Sequence, residues 1–175
     1  LALGDIDDDG LADLAIGAPR DDEPALRLKD SGSVALFKGN TLAPLATLFG
    51  DTARALAGTA VAVCEINGQE GQELVIGAPG DAGVGSGSVY AFNVTVSRYI
   101  KFDGPSLKSR FGASLACADV NNDGRDDVLV GVPGDDSGFL KDNGSARLYS
   151  GSNGIELLRI NGLTSKAGLG NSLAM

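Results

Sequence analysis

The stretch FGASLACADVNNDGRDDVLVGVP, residues 111–133, joins an alternating apolar run to a second apolar run through a loop carrying Asp119, Asn121 and Asp123 at every other position. Pro133 halts the second run. The same order recurs at 57–79 as AGTAVAVCEINGQEGQELVIGAP, and at 1–19, without its opening residues, as LALGDIDDDGLADLAIGAP. The Gly-x-Pro segments begin at Ile16, Ile76 and Val130, intervals of 60 and 54 residues, and LGNSLAM from Leu169 opens a further copy. A repeat of this period makes each copy one structural unit, so the motifs are read by their place in the unit.

Each unit reads as four strands. The first covers Leu1–Gly4, Val61–Cys64 or Leu115–Ala118, and the second Leu14–Gly17, Leu74–Gly77 or Val128–Gly131. A Gly-Ser-led third strand begins at Gly32, Gly87 or Gly144, and a fourth ends at Phe49, Phe102 or Ile160. Short β-branched and apolar runs, punctuated by Gly, Pro and Asp, carry no helical period of useful length. The expectation is an all-β protein, a β-propeller of four-stranded antiparallel blades. A stacked solenoid is the structural competitor. The units fall at about 1–51, 55–104 and 109–162, with a fourth begun at 167–175, in a single partial domain. Because the chain starts and stops inside units, it is expected to be a segment of a longer one. The loop after Gly-x-Pro differs in length between units, which suggests that one face carries changeable, candidate binding loops; neutral drift in an exposed loop is the alternative.

Composition narrows the function. Twenty-six glycines in 175 residues agree with many turns, and 43% apolar residues with a packed core. The formal charge of −9 argues against nucleic-acid binding and is compatible with bound cations. Histidine is absent, which removes His-based triads, His-ligated zinc and imidazole bases. No 18-residue apolar stretch offers a membrane-spanning helix.

The carboxylates have chelating spacing. Asp5, Asp7, Asp9 and Asp13 occupy loop positions 1, 3, 5 and 9, with Gly10 at position 6 and the Leu11 carbonyl at position 7. Asp119, Asn121, Asp123, Asp127, Gly124 and Arg125 repeat the arrangement. Hard oxygen donors in this number suit Ca²⁺. An EF-hand would need Glu at position 12, where Ile16 and Val130 stand, and a following helix, where a strand stands. The second unit has Glu65, Asn67, Gln69, Gly71 and Glu73, with Glu70 in place of the glycine, so its longer side chains make it the poorer site. Two ions are expected, the third loop being doubtful. Asp8 and Asp126 are expected to point away into solvent. A catalytic carboxylate pair, as in glycoside hydrolysis, has no support in this spacing.

The order FG…LA…DxNxDGxxD…VGxP resembles the FG-GAP repeat of the integrin α-subunit β-propeller, over essentially the whole chain. The resemblance implies seven blades in the full domain and Ca²⁺ loops between the first two strands of blades, away from the usual ligand face. It implies calcium at Asp5, Asp7, Asp9, Leu11 and Asp13, and at Asp119, Asn121, Asp123, Arg125 and Asp127. The second unit departs in its loop and in opening with Ala57-Gly58. Neither an inserted adhesion domain with Asp-x-Ser-x-Ser nor an Arg-Gly-Asp tripeptide occurs.

Cys64 and Cys117 fall one step apart on equivalent first strands. Facing across a blade interface, they have the geometry for a disulfide, yet two buried free thiols are the expectation for such small apolar positions. Asn93 and Asn143 head glycosylation sequons, and Asn143 is expected at an accessible turn. The functional expectation is a non-catalytic, extracellular or cell-surface, calcium-binding module for adhesion, protein–protein interaction or surface assembly. The alternatives are an accessory domain of a secreted enzyme, phospholipase D-like or polysaccharide-degrading, and a lectin propeller. The absence of Trp and the presence of only three Tyr weigh against the last.

Overall fold

The computed structural model describes residues 1–69, 71–81, 85–93 and 97–174, with the backbone alone at 98 and 99. Its twelve strands form three antiparallel sheets of four. The first blade holds β1 (Ala2–Gly4), β2 (Asp13–Ala18), β3 (Ser33–Phe37) and β4 (Pro44–Phe49). The second holds β5 (Ala60–Cys64), β6 (Glu73–Ala78), β7 (Ser88–Phe92) and β8 (Arg98–Asp103). The third holds β9 (Leu115–Ala118), β10 (Asp127–Val132), β11 (Ser145–Tyr149) and β12 (Glu156–Asn161). Sequence neighbours pair throughout, and each third–fourth strand pairing shifts register at the same place: Leu36/Phe37, Ala91/Phe92 and Leu148/Tyr149. The expected strands are all present, displaced by a residue or two at their ends.

The blades stack through two apolar seams. In the first, Ala15, Val34 and Leu36 meet Leu74, Ile76, Tyr90 and Phe92. In the second, Val75, Val89 and Ala91 meet Phe111, Val128, Val130 and Val132. Alternation along each strand sends odd and even residues to opposite seams. The second blade lies between the other two, so β6 and β7 are buried along their whole length. On the far side of the third blade, Leu158 and Ile160 of β12 are each half exposed.

The repeated glycines are explained by backbone approach. Gly58, at φ 85°, donates its N–H to Gly77 O of its own blade and lies against Gly17 of the preceding one. A Cβ on Gly17 would sit 2.1 Å from Gly58 O, and one on Gly77 would sit 2.1 Å from Gly112 O. No side chain fits there, so the glycine of Gly-x-Pro and the glycine opening the next unit form one interblock contact. Parallel bridges Gly32↔Ala57, Gly87↔Phe111 and Gly144↔Leu169 lead each blade into the next unit.

At this same end of the blades the serine of each Gly-Ser strand meets an acid. Ser33 Oγ donates to Asp21 at 2.7 Å and Ser145 Oγ to Asp135 at 2.7 Å. Asp135 is buried and pairs with Arg147 at 2.8 Å and Arg159 at 3.0 Å. Its burial opposes ionisation, but the Arg147 and Ser145 hydrogen bonds and the charge of both guanidinium groups hold its carboxyl below the ordinary range.

The expectation of free thiols is overturned: Cys64 and Cys117 form a disulfide, with their Cα atoms 6.0 Å apart. The single-residue offset between their strand positions is the cause. It turns Cys64 toward the third blade and Cys117 toward the second, so both enter the same seam. The accessible turn expected at Asn143 is also corrected. Asn143 is fully buried; its Nδ2 donates to Gly162 O at 2.8 Å and its Oδ1 accepts from Ser137 N at 2.9 Å. An amide so engaged is not presented at the surface of the folded chain. Asn93 is half buried and accepts from Ser97 N at 3.1 Å, while Val94 and Thr95 of its sequon lie outside the described residues.

Candidate metal centre

The three polar loops join the first and second strands of their blades, at the end away from the Gly-x-Pro turns. In the first loop, one oxygen from each of Asp5, Asp7 and Asp13 lies within 4.8 Å of the others. Backbone N–H groups aim these carboxylates. Ile6 and Asp7 donate to Asp13 Oδ2 at 3.0 and 3.1 Å, and Gly39 donates to Asp13 Oδ1 at 3.0 Å. Asp9 and Gly10 donate to the two oxygens of Asp5 at 3.0 and 2.9 Å. Leu11 N donates to Asp9 Oδ1 at 3.0 Å, and Asn40 Nδ2 to Asp9 Oδ2 at 3.1 Å. Asp7 Oδ1 is buried and is the one buried side-chain oxygen without a hydrogen-bond partner among the described residues. A buried anionic oxygen left in this state is costly unless a cation satisfies it.

The third loop repeats the frame. Val120 and Asn121 donate to Asp127 Oδ2 at 3.1 and 3.2 Å, and Asp123 and Gly124 to the oxygens of Asp119 at 3.1 and 2.9 Å. Arg125 N donates to Asp123 Oδ1 at 3.0 Å, matching Leu11 and Asp9. Ser152 Oγ donates to Asp123 Oδ2 at 2.9 Å, and this bond is the main cause holding the Asp123 carboxyl below its usual range. Asn121 stands where Asp7 stands in the first loop, and its Nδ2 donates to Asp127 Oδ1 at 3.2 Å. Gly10 and Gly124 adopt φ of 84° and 83°, as the tight turn requires.

The second loop satisfies itself. Glu73, fully buried, accepts from Ile66 N at 3.0 Å, Asn67 N at 3.2 Å and Asn67 Nδ2. Asn67 Oδ1 is taken by Gln69 N at 2.5 Å, and Glu65 Oε1 by Gly68 N at 2.8 Å. Burial pushes the Glu73 carboxyl upward, against the lowering effect of these bonds. Gly71, at position 7, has φ 75°, and Glu70 lies outside the described residues.

Three features escaped the sequence reading. Position 8 of a loop ties it to the preceding loop: Gln72 Oε1 accepts from Asp5 N at 3.0 Å, and Asp126 Oδ2 accepts from Glu65 N at 2.9 Å. Asp126 was expected in solvent; instead it caps a neighbouring backbone. Asp8 is exposed and at φ 58°, a left-handed position shared with Gly68 and Asn122. Ile6 and Ile66, at position 2, anchor their loops in the two seams. Lys38, lying beyond the repeat pattern, donates from Nζ to Asp7 Oδ2 at 2.5 Å, which raises the lysine's affinity for its proton.

Comparison with known proteins agrees with the repeat pattern. The FG-GAP repeat model matches residues 1–37 and 111–149, and the chain carries these repeats. Integrin alpha-V of Gallus gallus is 30% identical over 144 residues, 76% of this chain and 13% of that protein. Integrin alpha-8 of Mus musculus is 44% identical over 77 residues, 43% of this chain and 7% of the relative. The phosphatidylinositol-glycan-specific phospholipase D of Mus musculus is 31% identical over 143 residues, 74% of this chain and 17% of that protein. The chain therefore spans less than a fifth of each of these relatives.

Proposed function

We propose that this chain, built of FG-GAP repeats, is part of a non-catalytic, calcium-stabilised β-propeller that presents a surface to protein partners outside the cell. The observation that carries the calcium reading is the Asp5–Asp7–Asp13 cluster with its unpartnered, buried Asp7 oxygen. Its donors are hard oxygens, the chemistry that suits Ca²⁺. Asp5, Asp7, Asp9, Asp13 and the Leu11 carbonyl would hold one ion; Asp119, Asn121, Asp123, Asp127 and the Arg125 carbonyl would hold another. Bound there, calcium supplies positive charge that lets several carboxylates share one turn. The chain's own part is to aim them with backbone N–H groups and to anchor the first loop through Ile6. The second loop needs no ion, since Asn67 and backbone N–H groups already engage Glu73 and Glu65.

A full ring of blades, seven by the resemblance, is part of the same proposal. Leu158 and Ile160 are half exposed, while their counterparts Ile100 and Phe102 pack into a seam, so a further blade fits against β12. The Cys64–Cys117 disulfide supports an oxidising, extracellular setting, and no helix among the described residues is long and apolar enough to cross a membrane. The relation to the integrin alpha subunits supports adhesion or assembly, and that to the phospholipase supports the alternative, an accessory domain beside a secreted catalytic unit.

The test is thermal unfolding of the protein in calcium and in excess EDTA. Chelation is expected to lower the melting temperature by several degrees and to expose both loops to protease. Calorimetric titration is expected to count two ions within these units. Unchanged stability with no heat of binding would refute the calcium role. Sequencing the flanking chain separates the adhesion reading from the accessory-domain reading by the presence of a catalytic unit.

A further inference from the structure

The first and third loops agree almost bond for bond, and differ in one cation. Pairing register places Lys38, directly after β3, level with Asn93 and Ser150 of the other blades. Two residues on, Asn40 holds Asp9 Oδ2 at 3.1 Å just as Ser152 holds Asp123 Oδ2 at 2.9 Å, which confirms the alignment. Among the described residues, only the first blade puts an ammonium into its loop: Lys38 Nζ lies 2.5 Å from Asp7 Oδ2, with 38% of its side chain exposed. Asp7 is also the residue that becomes Asn121 in the third loop. The first loop thus carries four ligand carboxylates and a lysine, the third carries three carboxylates and none. Arg125 of the third loop does not play this part, since its guanidinium lies against Gly68 of the second loop.

We propose that Lys38 is a tethered cation that sets the affinity of the first loop, occupying the Asp7 carboxylate when calcium is absent and competing for it when calcium is present. This rests on the calcium reading. Four carboxylates in one turn repel each other, and the ammonium offsets part of that repulsion when no ion is bound. Any cation held by Asp5, Asp7 and Asp13 shares Asp7 with Lys38, and two positive charges a few ångströms apart at a half-solvated site oppose each other by about tenfold in affinity. Lys38 brings the four ligand carboxylates of the first loop to the same summed charge as the three ligand carboxylates of the third.

The experiment is calorimetric calcium titration of the protein with Asp123→Ala silencing the third loop, with Lys38 intact, Lys38→Met and Lys38→Arg. Lys38→Met is expected to tighten calcium about tenfold, and Lys38→Arg to leave it near the starting value, separating charge from shape. Independently of Asp123→Ala, Lys38→Met alone is expected to widen the melting-temperature gap between calcium and EDTA, because the ion-free loop loses its internal cation. Calcium bound with equal affinity by all three proteins, or an unchanged gap, overturns the role of Lys38 and leaves the calcium reading standing. No calcium binding by the unsubstituted protein defeats the calcium reading itself.

Discussion

The two seams between blades have the same apolar design and different fasteners. The first is closed by aliphatic side chains with Tyr90 and Phe92 around Ala57, by the Asp5–Gln72 exchange at one end, and by Thr52 Oγ1 donating to Asp81 Oδ1 at 2.7 Å at the other. The second gains a disulfide, the ring of Phe111 in place of Ala57, a charged Asp126 in place of Gln72, and Arg125 laid over Gly68. The first blade also has the loop with an unpartnered buried carboxylate oxygen, while the second blade's loop is satisfied by its own amides. Covalent and packing constraints therefore concentrate on one seam, and the unpartnered carboxylate oxygen lies beside the other. Repeats that are alike in backbone thus need not be alike in what holds them.

The largest effect should come from the disulfide. The cysteines are 53 residues apart, and a loop of that length corresponds to about 4 kcal/mol of chain entropy removed from the unfolded state. Cys117→Ser, or reduction, is expected to lower denaturant stability by about that amount and to leave calcium stoichiometry unchanged. A loss below about 1 kcal/mol would mean that the second seam has no covalent advantage over the first.

Phe111 should come next. It is fully buried and meets Tyr149 edge-on, with ring centroids 5.8 Å apart. Phe111→Ala gives the second seam the residue that the first already has at Ala57. It is expected to cost about 3–4 kcal/mol, because the second seam is shaped around the ring and leaves a cavity. If it is tolerated as well as Ala57 is, the two seams are interchangeable in packing, and the comparison loses its second leg. Equilibrium unfolding in urea measures the difference.

What the sequence made legible follows the repeat. Period-two alternation and the Gly-x-Pro stops marked all twelve strands, and carboxylate spacing marked the first and third loops. What it concealed lies in contacts between units. Asp126 looked like a spare acid because its partner, Glu65 N, is 61 residues away. Cys64 and Cys117 looked like small core residues, since one strand position decides which seam a side chain enters, and burial is equally compatible with a thiol. Asn143 looked exposed because turn residues usually are, yet here its amide donates to the Gly162 carbonyl, 19 residues on and just after β12. Lys38 carried no signal: its place in the first loop is set by β3 pairing, and its counterparts are Asn93 and Ser150.

The smallest effect separates the loop-to-loop ties. Gln72 and Asp126 each accept one backbone N–H from the preceding loop, at 3.0 and 2.9 Å, and each returns its own N–H to a carbonyl there, Asp5 O and Glu65 O. The backbone half of each tie survives substitution, so only the side-chain acceptor is lost on truncation. An ionised acceptor makes the stronger bond, so Asp126→Ala is expected to cost about 1–2 kcal/mol and Gln72→Ala about 1 kcal/mol or less. Asp126→Asn keeps an acceptor and removes the charge, and should fall near the Gln72 value. Equal costs for the two alanine variants would show that charge contributes nothing at this tie, leaving the difference between the seams to the disulfide, the Phe111 ring and Arg125 over Gly68.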